Sequence, residues 1–367
     1  MTGTTSEASP SETWGSQRER LAETLTRQGY RKAIRELRPM ADTGLAHHHV
    51  WLVRDGDDWV ARLPKQSQLG LEAGANLDYQ ATCFERAGPS GHTPSLQGVL
   101  PPSTTLPRGG LLVDAVKGRP ARLPDDLPAI AEALAALHGL ALPPAEARAP
   151  LLAPADPWAA MRAEVTTQAE FLDQAGLSAE VVTTVREELA SLPNQLDHGE
   201  AARPRLISFD AHPGNFLIDA EGRAMLVDLE KCRYGLPGFD LAHASLYTST
   251  TWDPSSHAVL GISELADFHH RWMTRTGIGE LDTLIACRRA MWLWSLTWCA
   301  KWRASHDRTR DTRARGEDWS AELSDDALIA HVRDRVDHYL SPAAIDHVRR
   351  EFDALAITLS NALEQDA

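Results

Sequence analysis

The sequence predicts an α+β protein with two lobes, a small N-terminal lobe with an antiparallel sheet and a helix and a larger, mostly helical C-terminal lobe. Between residues 50 and 116, short apolar runs alternate with polar, Gly- or Pro-containing turns, which is typical of strands. Beyond residue 124, apolar residues recur at helical spacing over longer segments. The 367 residues are enough for two separate cores.

A stretch rich in Pro and Gly, residues 118–124, marks the predicted boundary between the lobes. We therefore expect an N-terminal lobe over 14–118 and a C-terminal lobe over 119–367. Residues 1–13 are polar and acidic, and we expect a disordered tail there.

The overall charge and the apolar runs narrow the range of partners. A formal net charge of −14 disfavours non-specific binding to nucleic acid. The N-terminus has no apolar signal segment, and the most apolar helical run, 290–300, is too short to span a bilayer. We therefore expect a cytoplasmic protein with no nucleic-acid or membrane partner. The four cysteines lack zinc-ligand spacing and are expected to be reduced thiols.

The elements of the N-terminal lobe follow from local patterns. Apolar residues on a charged background predict a helix over 14–29, whereas the pattern over 31–38 is ambiguous. A turn at Asp55-Gly56-Asp57 separates two predicted strands. The further predicted elements are strands over 50–53, 59–63, 96–100 and 111–116 and a helix over 69–87.

The C-terminal lobe is predicted to hold one hairpin among helices. Ser178 is a predicted N-cap, because its hydroxyl can accept a hydrogen bond from the first helical turn. The predicted helices cover 125–139, 156–175, 178–192, 238–249, 257–276, 279–304, 321–340 and 342–364.

The hairpin is predicted where two apolar runs flank a polar turn centred on Glu221-Gly222. That centre places Asn215 opposite Asp228, and Glu230 points to the same side if the strand continues. Amide and carboxylate oxygens are the ligands that Mg²⁺ prefers when phosphates complete its shell. The pattern therefore predicts a magnesium site beside the hairpin.

The order of these polar residues resembles that of a known family. Asp210-x-x-x-x-Asn215 precedes the hairpin, Asp228-x-Glu230 ends it, and GLPGFDLA, which contains Asp240, follows. The pattern resembles the aminoglycoside phosphotransferase and choline kinase family of small-molecule kinases. This resemblance implies a bilobal protein-kinase-like fold and Mg²⁺-dependent transfer of the γ-phosphoryl group of ATP or GTP to a hydroxyl group.

The resemblance also implies a role for each of these side chains. Asp210 would be the catalytic base that receives the hydroxyl proton, and Asn215 and Asp228 would hold Mg²⁺. Glu230, where the family often has Asp, is a further candidate metal ligand. The alternative is that Asp210 and Asn215 only cap turns and that Asp228 only ends a strand.

Two further residues are implied to support the catalytic loop. His212 matches the family's loop, and Asp240 resembles the buried acid that fixes it. Ser208-Phe209 departs from the family pattern, which has His-Gly before the catalytic Asp. We therefore expect the backbone of this loop to be supported differently.

In the N-terminal lobe, a turn that contains Gly44 and a strand that carries Arg62 resemble the parts that cover and bind nucleotide phosphates. Arg62 would face the α- and β-phosphates, and Lys65 is the alternative. A bare hairpin would have a similar sequence.

The acid that pairs with this basic residue is expected on the helix over 69–87. Glu72 is the candidate, but the spacing to the next strand favours the position of Gln80, and Glu85 is a further alternative. Glu72 could also be an ordinary acid of the first helical turn. The connector between the lobes is implied to bind adenine through backbone groups of Val113, Asp114, Ala115 and Val116.

The acceptor is predicted less directly. Trp294, Trp298 and Trp302 recur at every fourth position and could hold a cationic amine through their ring faces, although such a stripe is also typical of a helical core. An acidic cluster could receive a polyamine, or it could be a solvated face. It consists of Glu317, Asp318, Glu322, Asp325 and Asp326.

The sequence thus predicts a kinase with two small-molecule partners. One is a nucleoside triphosphate, and the other is a hydroxylated acceptor, such as an aminoglycoside or another amine-bearing alcohol. The alternative function is a non-catalytic nucleotide-binding module. A metal-dependent hydrolase built on Asp210 and His212 lacks further His and Asp ligands. The acceptor, the choice between ATP and GTP and the oligomeric state remain open.

Overall fold

The computed structural model describes residues 10–40, 46–306 and 326–366. These residues form two compact units. The first comprises 10–40, 46–81 and 95–115, and the second comprises 82–94, 116–306 and 326–366. The predicted α+β class is confirmed, with an antiparallel sheet in the N-terminal part and mostly helices in the C-terminal part.

The first unit is built on a five-stranded antiparallel sheet with strand order β1-β2-β3-β5-β4. Helix α1 packs on it through the fully buried Leu21 and Leu25, which join a core with Val50 and Leu52. The elements are α1 (Pro10–Arg27), β1 (Ile34–Pro39), β2 (His47–Arg54), β3 (Trp59–Pro64), β4 (Leu96–Leu100) and β5 (Gly110–Asp114).

Two helix starts differ from the sequence prediction. Within the described residues, helix α1 extends to Pro10, four residues before its predicted start. Helix α2 (Ala73–Ala87) begins four residues later than predicted. Gly70, with φ of 65°, breaks the backbone before it, and the Ser67 hydroxyl accepts a hydrogen bond from the Leu71 amide (3.0 Å).

The chain passes between the units within α2, returns after Pro94 and passes again after Ala115. Residues 82–94 belong to the second unit, because His92 joins its hairpin. The His92 carbonyl accepts from the Leu226 amide (2.8 Å), and His92 Nδ1 lies 2.9 Å from the Ala224 carbonyl.

The second unit is arranged around α9 (Leu281–His306), which is fully buried at Met291, Trp292 and Leu293. Helices α4, α6 and α11 all pack against it. The other elements are β6 (Gly118–Pro120), α3 (Leu127–His138), α4 (Pro157–Ala169), α5 (Ala179–Ser191), β7 (Arg205–Ile207), β8 (Phe216–Asp219), β9 (Ala224–Leu226), β10 (Arg233–Gly235), α6 (Pro237–Ser245), α7 (Tyr247–Thr250), α8 (Ile262–Thr276), α10 (Asp326–Tyr339) and α11 (Pro342–Asp366).

Side-chain caps set two of these helix starts. The Ser178 hydroxyl accepts from the Val181 amide (3.3 Å), which confirms Ser178 as the N-cap of α5. Helix α8 begins five residues later than predicted, where Glu264 Oε2 accepts from the Gly261 amide (2.6 Å).

The predicted register of the β8–β9 hairpin is wrong by one residue. Phe216 pairs with Leu226, so partner numbers add to 442 rather than 443. The Asp219 carboxylate accepts from the amides of Glu221 (3.1 Å) and Arg223 (2.8 Å), and Gly222 has a φ of 79°. These contacts build a three-residue loop of the type that ends in a left-handed Gly, and its extra residue shifts the pairing.

The shift changes what faces Asn215. The Asn215 carbonyl accepts from the Val227 amide (3.0 Å), so Asn215 lies opposite Val227 rather than Asp228. Strand β9 also ends at Leu226, so Asp228 and Glu230 lie on a loop and not on a continuing strand.

Within the described residues, no helix combines the length and the apolar character needed to cross a membrane.

Candidate functional site

The loop between β7 and β8 presents Asp210, and Asp240 at the start of α6 fixes its backbone. Asp240 Oδ2 accepts from the Ser208 amide (2.7 Å), and Oδ1 accepts from the Phe209 amide (2.8 Å). Both residues and Asp240 are buried, and charge-assisted hydrogen bonds in such surroundings are strong. Strand β7, which ends directly before this loop, pairs with β10.

A second layer of hydrogen bonds fixes Asp240 itself. Trp272 Nε1 donates to His138 Nδ1 (3.1 Å), so Nδ1 carries no proton in this arrangement. The other ring nitrogen, Nε2, then carries the proton and donates to Asp240 Oδ2 (3.2 Å). All three side chains are buried, so the loop rests on a chain of hydrogen bonds that starts in α8.

Phe209 has a φ of 58°, the one positive φ of a non-glycine residue in the described chain. This backbone region favours Gly, the residue expected there from the family pattern. The Phe209 ring is buried against the Arg233 guanidinium, 3.6 Å from the ring centroid, and edge-on to Trp294 at 5.7 Å. The packing of the ring therefore compensates for an unfavourable backbone conformation.

Two basic side chains lie beside the Asp210 carboxylate, one near each of its oxygens. Lys231 Nζ lies 3.3 Å from Oδ2, and His243 Nδ1 lies 3.9 Å from Oδ1. Burial alone would raise the pKa of Asp210, but Lys231, His212 and His243 outweigh it, and the pKa lies below its usual range. Asp210 is therefore an ionised, largely buried carboxylate at neutral pH.

His212 shapes the turn that follows Asp210. Its Nδ1 accepts from the Gly214 amide (3.2 Å), which begins a short helical turn at Pro213. A Cβ on Gly214 would lie 2.6 Å from Asp253 Oδ2, so the Asp253 carboxylate lies directly against this loop.

The predicted metal ligands lie close to the loop. Asn215 Nδ2 donates to the Asp210 carbonyl (2.8 Å), so its Oδ1 is the atom left to bind a cation. Asp228 and Glu230 offer carboxylate oxygens within 4.8 Å of each other. Carboxylate and amide oxygens suit Mg²⁺, so this donor set fits the ion that the resemblance implies.

Arg62, the predicted contact to the phosphates, lies in the first unit. Arg62 is buried in β3, between His49 of β2 and Leu111 of β5. Gly44 lies outside the described residues.

The predicted acids of α2 are not on its buried face. Glu72 precedes the first residue of the helix, and Glu72 and Glu85 are exposed. Gln80 is buried, and its Oε1 lies 2.9 Å from His47 Nε2. The buried position that the sequence spacing favoured is therefore occupied by an amide bonded to β2.

Some backbone groups of the predicted adenine-binding connector already pair with strands or form hydrogen bonds to other backbone groups. Val113 pairs with Val60, the Asp114 amide donates to the Ser95 carbonyl (3.0 Å), and the Ala115 amide donates to the Asp58 carbonyl (3.0 Å). Val116 is the first residue of the second unit along this part of the chain.

The three tryptophans of α9 differ in exposure. Trp294 and Trp302 are buried, and Trp294 Nε1 donates to Glu164 Oε1 (2.5 Å). Trp298 is partly exposed, and its ring lies edge-on to that of Trp252 at 6.0 Å. Glu317 to Asp325 of the acidic cluster lie outside the described residues, and the side chain of Asp326 is not described.

Sequence reasoning missed Lys231 and His243 as site residues. Their positions were a usable signal, because Lys231 directly follows Asp228-x-Glu230 and His243 directly follows Asp240-Leu-Ala. Neither position could be connected to Asp210 without the folded loop.

Comparisons with known proteins identify the family of the chain. Residues 40–274 match the model of a family described as the phosphotransferase enzyme family. No curated protein matches the sequence significantly.

Solved structures share the fold at low sequence identity. A candidate aminoglycoside phosphotransferase from Ralstonia eutropha is 15% identical with a TM-score of 0.62, covering 92% of this chain and 98% of that one. A choline/ethanolamine kinase family protein from Mesorhizobium loti is 16% identical with a TM-score of 0.53, covering 93% and 99%. A macrolide 2′-phosphotransferase from Brachybacterium faecium is 14% identical with a TM-score of 0.54, covering 86% and 97%.

These structures are similar to the chain in fold. The segment that matches the family model includes β2 to β5, the loop that carries Asp210 and the β8–β9 hairpin. The predicted kinase-like fold and the predicted family are confirmed. The chain belongs to the phosphotransferase enzyme family and is a small-molecule kinase.

Proposed function

We propose that the chain transfers the γ-phosphoryl group of ATP or GTP to a hydroxyl group of a small molecule, with Asp210 as the catalytic base. The observation that carries this proposal is the setting of Asp210. It is an ionised carboxylate on a loop whose backbone is fixed by Asp240, and a cation lies beside one of its oxygens.

In this reaction the acceptor oxygen forms a bond to the γ-phosphorus while the bond to the bridging oxygen breaks. The electron pair of the broken bond leaves with the nucleoside diphosphate, and the acceptor proton goes to Asp210. A carboxylate with a depressed pKa is a weak base, which suits a transition state in which the proton moves late. Asp210 then acts mainly by orienting the hydroxyl group.

Lys231 supports the charge state of this site. Its ammonium lies 3.3 Å from Asp210 Oδ2, and its side chain is 12% exposed. It keeps Asp210 ionised before reaction and favours negative charge nearby.

Asn215, Asp228 and Glu230 would hold Mg²⁺, through one amide oxygen and two carboxylates. When bound, the ion neutralises negative charge on the phosphates during transfer.

The nucleotide is assigned to residues of the N-terminal part by the resemblance. Arg62 is the proposed contact to the α- and β-phosphates, with the Gly44 turn over them and Glu72 as its acid partner. A buried guanidinium on a central strand suits the first role. Adenine would bind backbone groups of Val113, Asp114, Ala115 and Val116, and the amides of Asp114 and Ala115 would first have to leave their present partners.

For the acceptor we propose an amine-bearing alcohol, such as an aminoglycoside. Asp253 lies against the catalytic loop, and a carboxylate at that place can receive an ammonium group. The net charge of −14 also favours a cationic substrate. Of the predicted aromatic contacts, Trp298 has exposed ring surface, whereas Trp294 and Trp302 would require side-chain movement.

The experiment is a screen for Mg²⁺-dependent nucleotide consumption. The purified chain is incubated with ATP or GTP and a panel of aminoglycosides, choline, ethanolamine and neutral polyols, and ³¹P NMR identifies the phosphorylated product. We expect turnover with at least one cationic alcohol. No turnover by the wild type on any acceptor, with nucleotide still bound, would overturn the kinase proposal.

That same negative result would favour the second candidate, a non-catalytic nucleotide-binding module. The Ser208-Phe209 sequence directly before Asp210 favours it, because the family pattern has His-Gly at these two positions.

A further inference from the structure

His243 is a buried titratable group that has no assigned role in the proposed reaction. It lies in α6, immediately after the Asp240-Leu241-Ala242 segment that fixes the catalytic loop, and is 8% exposed. Its Nδ1 is buried and has no hydrogen-bond partner among the described residues. Buried polar atoms without a partner are rare in folded proteins and call for an explanation.

The position of Nδ1 relative to Asp210 provides an explanation. Nδ1 lies 3.9 Å from Asp210 Oδ1, which is too far for a direct hydrogen bond. If an oxygen lay about 2.8 Å from both atoms, the angle between Nδ1, this oxygen and Oδ1 would be about 90°. A hydroxyl group can form two hydrogen bonds at such an angle. The distance between Nδ1 and Oδ1 therefore matches that of two atoms that share one bridging oxygen.

The chemistry of Asp210 decides which group donates to which. An ionised carboxylate only accepts, so the single proton of a bridging hydroxyl group goes to Asp210 Oδ1. Nδ1 can then bind the same oxygen only by donating its own N–H to a lone pair. One lone pair of the oxygen remains for the phosphorus.

The surroundings keep the ring neutral, so it carries a single N–H. Burial is the largest influence and lowers the pKa of His243 to about 4, assisted by the charges of His212 and Lys231 and opposed by Asp210 and Asp240. The ring is held by its neighbours, with its centroid 6.0 Å from that of His212 and 6.4 Å from that of Trp294.

We infer that His243 positions the reacting hydroxyl group of the acceptor, by donating an Nδ1–H hydrogen bond to the oxygen that Asp210 deprotonates. This inference rests on the proposed role of Asp210 as catalytic base and adds a second contact to the same oxygen. It also restricts the acceptor, because the reacting hydroxyl group must be unhindered enough to reach between the side chains of Asp210 and His243.

Three substitutions separate this role from simple packing. An Asn side chain places its amide nitrogen near the position of Nδ1, a Gln side chain places it near that of Nε2, and Leu has no donor. With the panel acceptor that wild type turns over fastest, we expect His243→Asn to retain kcat/KM within about threefold. His243→Gln and His243→Leu should lose about tenfold or more, without a change in nucleotide affinity. Wild-type kcat/KM in the Leu variant, or equal losses in all three, would overturn the inference.

His269 offers a matched control in the same unit. It is also buried, but its Nδ1 lies 2.8 Å from the Leu265 carbonyl and thus has a partner within its own helix. His269→Gln should lower stability and leave kcat/KM for the acceptor unchanged.

The protonation state gives a readout that does not need turnover. Long-range ¹H–¹⁵N NMR of the imidazole rings, assigned with the His243 variants, should show a neutral His243 protonated on Nδ1 at pH 7. A His243 ring protonated on Nε2 alone would overturn the inference, even if no panel acceptor were phosphorylated. Absence of turnover with a ring protonated on Nδ1 would instead count against the proposed kinase function.

Discussion

The Phe209 amide lies 2.8 Å from Asp240 Oδ1, and this bond holds Phe209 in a left-handed backbone conformation with φ of 58°. The residue directly before the proposed base thus adopts a conformation that suits Gly. The buried carboxylate and the packed ring together stabilise it.

A pair of substitutions measures the cost of this conformation. Phe209→Ala and Phe209→Gly both remove the ring, but only Gly adopts the positive φ without strain. We expect the Gly variant to be more stable than the Ala variant by about 1 kcal/mol, although both should be less stable than wild type by several kcal/mol. Urea unfolding measures both differences. An Ala variant as stable as the Gly variant would show that no strain is present.

Asp240 should matter more for turnover than its distance from substrate suggests. Asp240→Asn replaces one acceptor oxygen by an NH₂ group that faces the amide of Ser208 or Phe209. We expect kcat to fall about 100-fold and the free energy of unfolding to fall by about 3 kcal/mol. Steady-state kinetics and urea unfolding measure the two effects.

Asp219 is the control for this substitution, because its carboxylate also accepts two backbone amides but lies in the hairpin turn. Asp219→Asn should leave kcat unchanged. A wild-type kcat in Asp240→Asn would contradict the role of Asp240 in fixing the loop.

The β8–β9 hairpin shows which features of the fold can be predicted from the sequence and which cannot. Its two strands and its polar turn were predictable from the alternation of apolar and polar residues. The register depended on whether Asp219 would accept amides from within the turn and thus lengthen the loop by one residue. A local pattern does not decide between such turns, whereas the folded chain does.

The site was predictable where residues are close in sequence and unpredictable where they are distant. The spacing of Asp210, Asn215 and Asp228 along the chain was enough to indicate a site. Lys231 and His243 reach Asp210 only through the path of the chain around β10 and α6. Asp240 was predicted as support, but its fixation through His138 and Trp272 joins three separate helices.

Stability should depend on pH through two buried histidines. Burial lowers the pKa of His269 to about 3 and that of His243 to about 4, both below the ordinary value of 6.5. The unfolded chain therefore binds more protons between about pH 4 and 6.5, and stability should fall as the pH falls through this window. Each histidine contributes up to about 1.4 kcal/mol per pH unit.

Urea unfolding at pH 7 and pH 5 tests this dependence. His269→Gln should reduce the change in unfolding free energy between the two values, whereas His198→Gln at an exposed position should not. An unchanged dependence in His269→Gln would show that His269 is not buried in its neutral form.

The measurement that tests the central claim most directly is the turnover of Asp210→Asn with Mg²⁺, nucleotide and the best acceptor of the panel. The Asn side chain keeps the size of Asp210 but cannot take the hydroxyl proton. We predict a kcat at least about 100-fold below wild type with unchanged nucleotide affinity. An Asp210→Asn protein that phosphorylates the acceptor at the wild-type rate would contradict the assignment of Asp210 as the catalytic base.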